Sequence, residues 1–183
     1  MKRLGIVGLG PQGKRVAAAV QGSSVLQPAW GVDLQADVCA GYSGDTGIPC
    51  FEGLAEALTQ CIPEVVAVCT HAPSHVPIAR ELIQAGVKAV LVEKPLSASL
   101  RQGLALQETA ARKGARIGVS HWRRYLPVYC ELAQRIRDGV YGELRHFSCH
   151  SMGIGLGCLG THFFDLAAQL IPGSIQHVSG WID

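Results

Sequence analysis

The sequence is poor in charged and aromatic side chains. Only 16% of its 183 residues are charged, 6% are aromatic, and the formal net charge is +2. So small a positive charge, with no basic cluster beyond Arg123 and Arg124, argues against an electrostatic nucleic-acid binder. The hydrophobic content of 48% in turn argues against disorder. These values are typical of a soluble globular protein that has no nucleic-acid partner.

Long apolar runs are also missing. No segment approaches the roughly 18 consecutive apolar residues of a membrane helix, and four glycines interrupt the stretch that follows Lys2 and Arg3. We therefore predict no membrane association and no signal peptide. The seven cysteines form no C-x-x-C pair and are odd in number, so neither disulfides nor a metal site is expected. The cytoplasm is the predicted compartment, with these thiols as small core residues.

A short apolar run followed by glycines opens the sequence. Residues 4–9 have the character of a buried parallel strand, and Gly8, Gly10 and Gly13 follow in the spacing G-x-G-x-x-G. This spacing predicts a tight turn between a strand and a helix, with Pro11 in the first helical turn. The backbone N–H groups at the start of that helix would form an anion site suited to a pyrophosphate.

An acidic residue stands where a dinucleotide site needs one. The second apolar run, 25–32, ends at Asp33, about 20 residues beyond the glycines, where a carboxylate can accept both ribose hydroxyls of an adenosine. No Arg or Lys follows Asp33 closely to hold a 2′-phosphate. The pattern therefore favours NAD over NADP as the cofactor.

The first 120 residues alternate between apolar strands and helices. Further strands are predicted over 48–51, 65–70, 89–92 and 116–120, with helices over 53–60, from 73 to about 85, and from a cap at Ser97 or Ser99 to Lys113. The segment from Asp33 to Gly47 is only weakly helical. Because the strands are apolar throughout, we predict a doubly wound parallel sheet, a Rossmann domain over 1–120.

Beyond residue 120 the composition becomes more polar and aromatic. Helical spacing covers 128–137, alternation predicts a strand over 145–152, a glycine-rich loop spans 153–160, and a helix over 162–170 precedes a last strand, 175–182. Alternating strands indicate antiparallel sheet. We therefore predict a second, partial α+β domain over 121–183 with mainly antiparallel sheet.

Several motifs together resemble one known family. They are G-L-G-P-Q-G with Asp33, C-T-H-A-P-S-H-V-P-I-A, V-E-K-P-L, H-W-R-R-Y-L-P, Y-G-E-L and G-T-H-F-F-D-L. In this order they resemble the Gfo/Idh/MocA family of NAD(P)-dependent oxidoreductases, and E-K-P is the most specific of them. The resemblance implies hydride transfer between a nicotinamide and a secondary alcohol of a sugar, cyclitol or related polyol.

The resemblance also implies roles for individual residues. His162 matches the active-site histidine that takes the hydroxyl proton, a task suited to imidazole, and Lys94 would orient the substrate hydroxyl. Arg123 is expected on the substrate side. The positions that match cofactor-binding residues are Gly8, Gly10, Pro11, Gln12, Gly13, Asp33, Thr70, His75, Glu93 and Lys94. For His121 we expect only a strand or surface role, and for Asp165 a structural contact with His162 on the same helix.

The sequence also departs from the family pattern. Cys158 stands four residues before His162, where an acid is common, and Trp122 replaces a common asparagine. Family members are usually much longer, so a fragment, a shortened natural subunit and a decayed paralogue all remain open. One alternative to a dehydrogenase is a module that binds NAD without catalysis. Open edges of the second sheet predict a homo-oligomer.

Overall fold

The computed structural model describes residues 1–150, 155–171 and 173–181. The chain divides into two compact units, Met1–Ser120 and His121–Asp183. Within the described ranges, no helix has both the length and the apolar character required to cross a membrane.

The first unit is a six-stranded sheet whose neighbouring strands are all parallel. The strand order is β3-β2-β1-β4-β5-β6, so the chain reverses its direction of winding between β1 and β4. In open parallel sheets, ligands bind outside the carboxyl ends of the strands at this reversal. The elements are β1 Lys2–Val7, α1 Pro11–Gln21, β2 Leu26–Val32, α2 Ala36–Thr46, β3 Cys50–Phe51, α3 Leu54–Gln60, β4 Val65–Val68, α4 Ala72–Gln84, β5 Ala89–Val92, α5 Leu100–Lys113 and β6 Arg116–Val119.

Two hydrophobic clusters cover the sheet. Leu4 and Ile6 of β1 pack with Ala17 of α1 and Tyr42 of α2. The other cluster joins side chains of β2, β4 and β5 to α3, α4 and α5, and it includes the fully buried Trp30. Strands that are apolar throughout are thus buried on both faces. The prediction of a doubly wound Rossmann sheet is confirmed.

Details at the helix ends differ in part from the sequence-based expectations. The segment after Asp33 was expected to be only weakly helical but forms the 11-residue helix α2. Gly114 ends α5 in the left-handed region, as expected for a helix C-cap. Ser99 occupies the N-cap position of α5, one of the two serines expected there, but its side chain makes no capping hydrogen bond. The Ser97 hydroxyl donates to the Ser99 carbonyl at 2.8 Å.

The expectation that disulfides are absent is wrong. Cys39 of α2 and Cys50 of β3 form a disulfide, with their Cα atoms 5.1 Å apart. Because the chain turns back after α2 to enter β3, two cysteines that are 11 residues apart in sequence come together. A search for C-x-x-C spacing cannot detect such a pair. Among the described cysteines, Cys61, Cys69, Cys130 and Cys149 are free.

The second unit is built on two helices. A 3₁₀ turn, Trp122–Tyr125, leads into α6, Pro127–Arg137, and a π-helical turn, Leu156–Gly160, leads into α7, Thr161–Leu170. The Gln169 amide of α7 donates to the Arg124 carbonyl at 2.9 Å, which fastens α7 to the 3₁₀ turn. The cysteine thiol of α6, Cys130, approaches the same carbonyl at 3.3 Å.

The predicted antiparallel strands are not found in the described residues. Residues 145–150 and 174–181 have no regular secondary structure, while 151–154, 172 and 182, which belong to the predicted strands, loop and helix stop, lie outside the described ranges. The side chain of Cys158 also lies outside them. Alternation marks a segment that can pair in a sheet, but a strand forms only where a neighbour supplies hydrogen bonds. The described residues of this unit contain no such neighbour.

Candidate active site

Four turns of the first unit emerge at the carboxyl edge of the sheet. Backbone hydrogen bonds extend the strand pairing by one residue at this edge: Gly8 N–H donates to Val32 at 2.8 Å, Cys69 to Val7 at 2.7 Å, and Glu93 to Val68 at 2.9 Å. These bonds hold the residues that follow β1, β4 and β5 in fixed register. The glycine loop, Asp33, Thr70 and the Glu93-Lys94-Pro95 turn therefore share one edge.

Glycine is found at each of the three loop positions for a different structural reason. Gly8 has φ +89°, and a Cβ there would lie 2.9 Å from the Cys69 carbonyl carbon. A Cβ on Gly13 would collide with the Gly8 carbonyl oxygen. A Cβ on Gly10, by contrast, would meet no protein atom within 4 Å. Gly8 and Gly13 are needed by the fold itself, whereas Gly10 leaves open space beside the backbone, as a pyrophosphate requires.

The start of α1 is suited to an anion. Its first hydrogen bond runs from Lys14 N–H to the Gly10 carbonyl at 3.0 Å, so the N–H groups of Gln12 and Gly13 precede the helical ladder. Gly10 supplies no side-chain cap, Pro11 has no N–H, and the first turn holds no acidic residue. The positive end of the helix dipole therefore faces the loop without a built-in counter-charge.

Asp33 is held against the glycine loop. Its Oδ2 accepts a hydrogen bond from the Leu9 N–H at 2.8 Å, and its Oδ1 accepts one from Gln35 N–H at 3.1 Å. The Asp33 N–H in turn donates to the Phe51 carbonyl at 3.1 Å. A carboxylate at the end of β2 keeps further lone pairs, which can accept ribose hydroxyls. The exposed neighbours Leu34 and Gln35 offer no cation for a 2′-phosphate.

His75 links two of the turns. Its ring, 1% exposed, places Nδ1 at 2.8 Å from the Pro95 carbonyl and Nε2 at 2.9 Å from the Thr70 carbonyl. The Thr70 hydroxyl is further fixed by the Ser74 hydroxyl at 2.8 Å. Both ring nitrogens of His75 thus face backbone carbonyls of the protein. The side chain holds the Lys94-Pro95 turn, whose peptide bond is cis, beside Thr70.

Glu93 and Lys94 follow β5 directly, beside Cys69. The Glu93 carboxylate accepts the Lys94 N–H at 3.3 Å. Burial, reinforced by the negative charge of Glu93, raises the pKa of Cys69 to about 12. The Cys69 thiol is therefore protonated at neutral pH and is not a thiolate nucleophile. The charged groups that follow β5 at the carboxyl edge of the sheet are the Glu93 carboxylate and the Lys94 ammonium group.

In the second unit, His162 lies in the first turn of α7 with 4% of its surface exposed. The His121 ring is its neighbour, at 5.5 Å between ring centroids and in edge-to-face geometry. Asp165 lies one turn further along α7. Its Oδ2 lies 3.2 Å from Arg124 Nε, and its Oδ1 lies 3.7 Å from His121 Nδ1.

Arg123 lies among aromatic side chains. Its guanidinium carbon is 6.0 Å from the centroid of Trp122 and 5.7 Å from that of Phe163, within cation–π range of both rings. Trp122 is also 6.5 Å from the His162 ring. The residue that replaces the family's common asparagine therefore sits beside the candidate base.

The contacts of His121 were not expected from the sequence. The side chain of His121 was expected to have only a strand or surface role, yet it contacts both His162 and Asp165. Its position two residues after β6 was the available signal, since the carboxyl ends of parallel strands carry ligand-binding residues. The described residues contain no group of three or more His, Cys, Asp or Glu side chains able to hold a metal.

Comparison with known protein families identifies the chain. The model of a family described as "Oxidoreductase family, NAD-binding Rossmann fold" matches residues 2–121. The chain belongs to this Gfo/Idh/MocA family. The match covers the whole first unit, where the glycine loop, Asp33 and the Glu93-Lys94 pair lie.

Relatives with recorded names agree with this assignment. The oxidoreductase YceM of Salmonella typhimurium is 34% identical over 190 residues, an alignment that covers 97% of this chain and 59% of YceM. The rhizopine catabolism protein MocA of Rhizobium meliloti is 27% identical and is covered over 46% of its length. The chain thus spans about half the length of the curated relatives that it matches.

Solved structures that the chain matches share its fold. GenD2 from gentamicin A biosynthesis, solved in complex with NAD, has a TM-score of 0.83 at 25% identity over 92% of this chain and 53% of its own. The WlbA dehydrogenase of Bordetella pertussis, solved with NADH and UDP-GlcNAcA, has a TM-score of 0.81 at 21% identity over 92% of this chain and 58% of its own.

Proposed function

We propose that the protein is an NAD-dependent dehydrogenase that oxidises a secondary alcohol of a sugar, cyclitol or related polyol. The observation that carries the proposal is the arrangement of Asp33, which is bonded to Leu9 N–H at 2.8 Å and thereby fixed beside the glycine loop. A carboxylate in that place binds ribose hydroxyls and repels a 2′-phosphate. NAD supplies the acceptor of the hydride when bound.

The residues of the first unit would hold that cofactor. The pyrophosphate would bind the N–H groups at the start of α1, over the open space beside Gly10. Thr70 and Glu93, at the ends of β4 and β5, would line the nicotinamide side. His75 would act indirectly, because its ring is occupied by the Thr70 and Pro95 carbonyls and fixes their turns.

Two groups would act on the substrate hydroxyl. The Lys94 ammonium would orient it and stabilise the negative charge that develops on oxygen as the hydride leaves. His162 would take the hydroxyl proton, as a neutral imidazole can. Arg123, flanked by Trp122 and Phe163, would bind another polar group of the substrate. In the reaction the alcohol loses a hydride from its carbon and a proton from its oxygen.

Named relatives support the class of substrate. The scyllo-inositol 2-dehydrogenase of Bacillus subtilis is 32% identical over 107 residues, and inositol 2-dehydrogenase 3 of Saccharopolyspora erythraea is 28% identical over 145. Both are named for oxidation of a cyclitol. Trp122, which is 53% exposed, adds a flat apolar surface of the kind that packs on the C–H face of a sugar or cyclitol ring.

A module that binds NAD without catalysis is the second candidate. It is favoured by the position of the residues expected to hold the cofactor, all of which lie in the first unit, where the NAD-binding family model matches. The two candidates predict the same NAD affinity but different chemistry. A mixture of the protein, NAD and a panel of inositols and sugars decides between them. An increase in the absorbance of reduced nicotinamide supports the dehydrogenase. Binding of NAD that is detected by calorimetry, with no reduction of NAD, supports the module.

Self-association through the second unit is a further part of the proposal. Its described residues expose several large apolar side chains, among them Tyr125, Ile175, Val178 and Trp181, each more than 70% exposed. Exposed apolar surface of this kind favours association with another protein surface. Sedimentation velocity tests this: an oligomer supports the proposal, and a stable monomer at working concentration contradicts it. A cytoplasmic location stays a prediction, which fractionation of cells would test.

A further inference from the structure

A buried base needs a route by which its proton reaches water. His162 is 4% exposed, so a proton taken from a substrate hydroxyl cannot pass directly to bulk solvent. Each oxidation of an alcohol nevertheless releases one proton. Unless a neighbouring group accepts it, the protonated imidazole would remain in the site and block the next turnover.

His121 is placed to accept that proton. Its ring contacts the His162 ring edge to face, with 5.5 Å between the centroids. Its side chain is 18% exposed, which is more open to solvent than His162. Histidine is also the side chain best suited to accept and release protons near neutral pH.

The Asp165 carboxylate determines which ring nitrogen of His121 can accept a proton. The carboxylate Oδ1 faces Nδ1 at 3.7 Å, a distance of ion pairing and longer than a hydrogen bond. A neutral imidazole beside a carboxylate favours the tautomer with its proton on that side. Nε2 then carries the lone pair, and within the described ranges this buried atom has no hydrogen-bond partner. Arg124, at 3.2 Å from Oδ2, holds the carboxylate in place.

We propose that His121 is a proton-relay residue that carries the proton from His162 to water, with Asp165 stabilising it while it is charged. The inference rests on the proposed dehydrogenase function. The proton leaves the substrate oxygen for the His162 ring and moves to Nε2 of His121. The Nδ1 proton of the resulting imidazolium is released to water, and tautomerisation of the neutral ring then returns the remaining proton to Nδ1, beside Asp165, which restores the acceptor. In this role His121 acts through His162, whose ring it contacts, and not on the reacting atoms.

The kinetic test uses His121→Ala in the full chain with NAD and a polyol that the unmodified protein oxidises. The first turnover, followed by rapid-mixing absorbance, should change less than about twofold, while steady-state turnover should fall about tenfold. Free imidazole in the buffer should restore turnover in a concentration-dependent way, because it replaces the missing proton acceptor. His146→Ala, at an exposed histidine of the same unit, should change neither rate. Unchanged turnover in His121→Ala, or a loss that imidazole does not restore, overturns the relay.

A spectroscopic test needs neither turnover nor a mutation that might disturb folding. Long-range ¹H–¹⁵N spectra of the unmodified protein, recorded where the ring is neutral, should show His121 protonated at Nδ1 and bare at Nε2. The opposite tautomer would overturn the relay, since Nε2 could not then accept. If the unmodified protein oxidises no polyol, the proposed function fails. The spectrum still decides whether Nε2 of His121 is unprotonated and can accept a proton.

Discussion

The carboxylate of Asp33 and the backbone N–H of Leu9 form a 2.8 Å hydrogen bond that joins the end of β2 to the loop after β1. A second bond, from Gln35 N–H at 3.1 Å, fixes the other carboxylate oxygen. Asp33 is therefore oriented by the fold before any ligand arrives. Such preorganisation lowers the cost of ordering the site on binding.

Replacement of Asp33 by asparagine should weaken NAD binding about tenfold, because hydrogen bonds to a charged group contribute roughly 1.5–3 kcal/mol. The affinity for NADP should change less or rise, since the repulsion of a 2′-phosphate is removed. Isothermal titration calorimetry with both nucleotides measures the two affinities. Asp37→Asn, at an exposed acid in the first turn of α2, is the matched control and should leave both unchanged. Tighter binding of NADP than NAD by the unmodified protein would contradict the assignment of Asp33.

Alanine at Gly10 and at Gly13 should affect different properties. The new methyl group of Gly10→Ala meets no protein atom within 4 Å, so thermal stability should hold while NAD affinity falls. Gly13→Ala should destabilise the fold by about 1–3 kcal/mol, because its methyl group collides with the Gly8 carbonyl oxygen.

Thermal unfolding and calorimetric NAD titration of both variants separate the two effects. Gly44→Ala, at a position of α2 with no atom within 4 Å, is the control and should leave binding unchanged while stability rises by about 0.5–1 kcal/mol. Equal loss of stability at Gly10 and Gly13 would mean that the space beside Gly10 is not a ligand site.

Reduction of the Cys39–Cys50 disulfide should lower the free energy of unfolding by about 3 kcal/mol, the value for a cross-link that closes a loop of this length. Denaturant unfolding with and without a phosphine reductant measures the difference. Cys50→Ala should unfold like the reduced protein and should not respond to the reductant. An unmodified protein whose unfolding midpoint is the same in both buffers would show that the bond makes no contribution.

The ion pair between Arg3 and Glu64 should make stability depend on acid pH. Hydrogen bonds from the Arg3 guanidinium, and then from the Arg3 N–H, lower the pKa of Glu64 from 4.5 to about 2. A depressed carboxyl pKa stabilises the fold above the unfolded value, and this contribution is lost as the pH falls from about 4.5 toward 2.

Urea unfolding of the unmodified protein and of Glu64→Gln, across that pH range, measures the effect. The unmodified protein should lose more stability on acidification than the variant. The difference should shrink in high salt, because both side chains are 44% exposed. Parallel pH profiles would contradict the coupling.

Local patterns in the sequence predicted the parallel sheet, the glycine loop and Asp33, because strand burial and tight turns depend on neighbouring residues. Contacts between distant residues were not predictable in the same way. Hydrophobic periodicity reports burial, and it does not report that Cys39 meets Cys50 or that His75 bridges Thr70 and Pro95.

In the second unit, too, contacts between residues distant in sequence were not predictable from local patterns. The helix that carries His162 was predicted from its spacing, yet the contacts of Asp165 with His121 and Arg124 were not, because they join α7 to a segment that is distant in sequence. The alternation over 145–152 predicted a strand that the described residues of this segment do not form, because pairing depends on a strand elsewhere in space. Sequence alone therefore located the candidate residues better than their contacts.

The first turnover of hydride transfer tests the central claim most directly. The unmodified protein, preloaded with NAD and mixed rapidly with an oxidisable polyol, should develop reduced-nicotinamide absorbance. Lys94→Ala and His162→Ala should each slow this phase on the order of 100-fold, since each removes a group whose interaction strengthens as the alkoxide forms. NAD affinity, measured on the same samples, should fall much less for His162→Ala. First-turnover rates that remain unchanged in both variants would contradict the account.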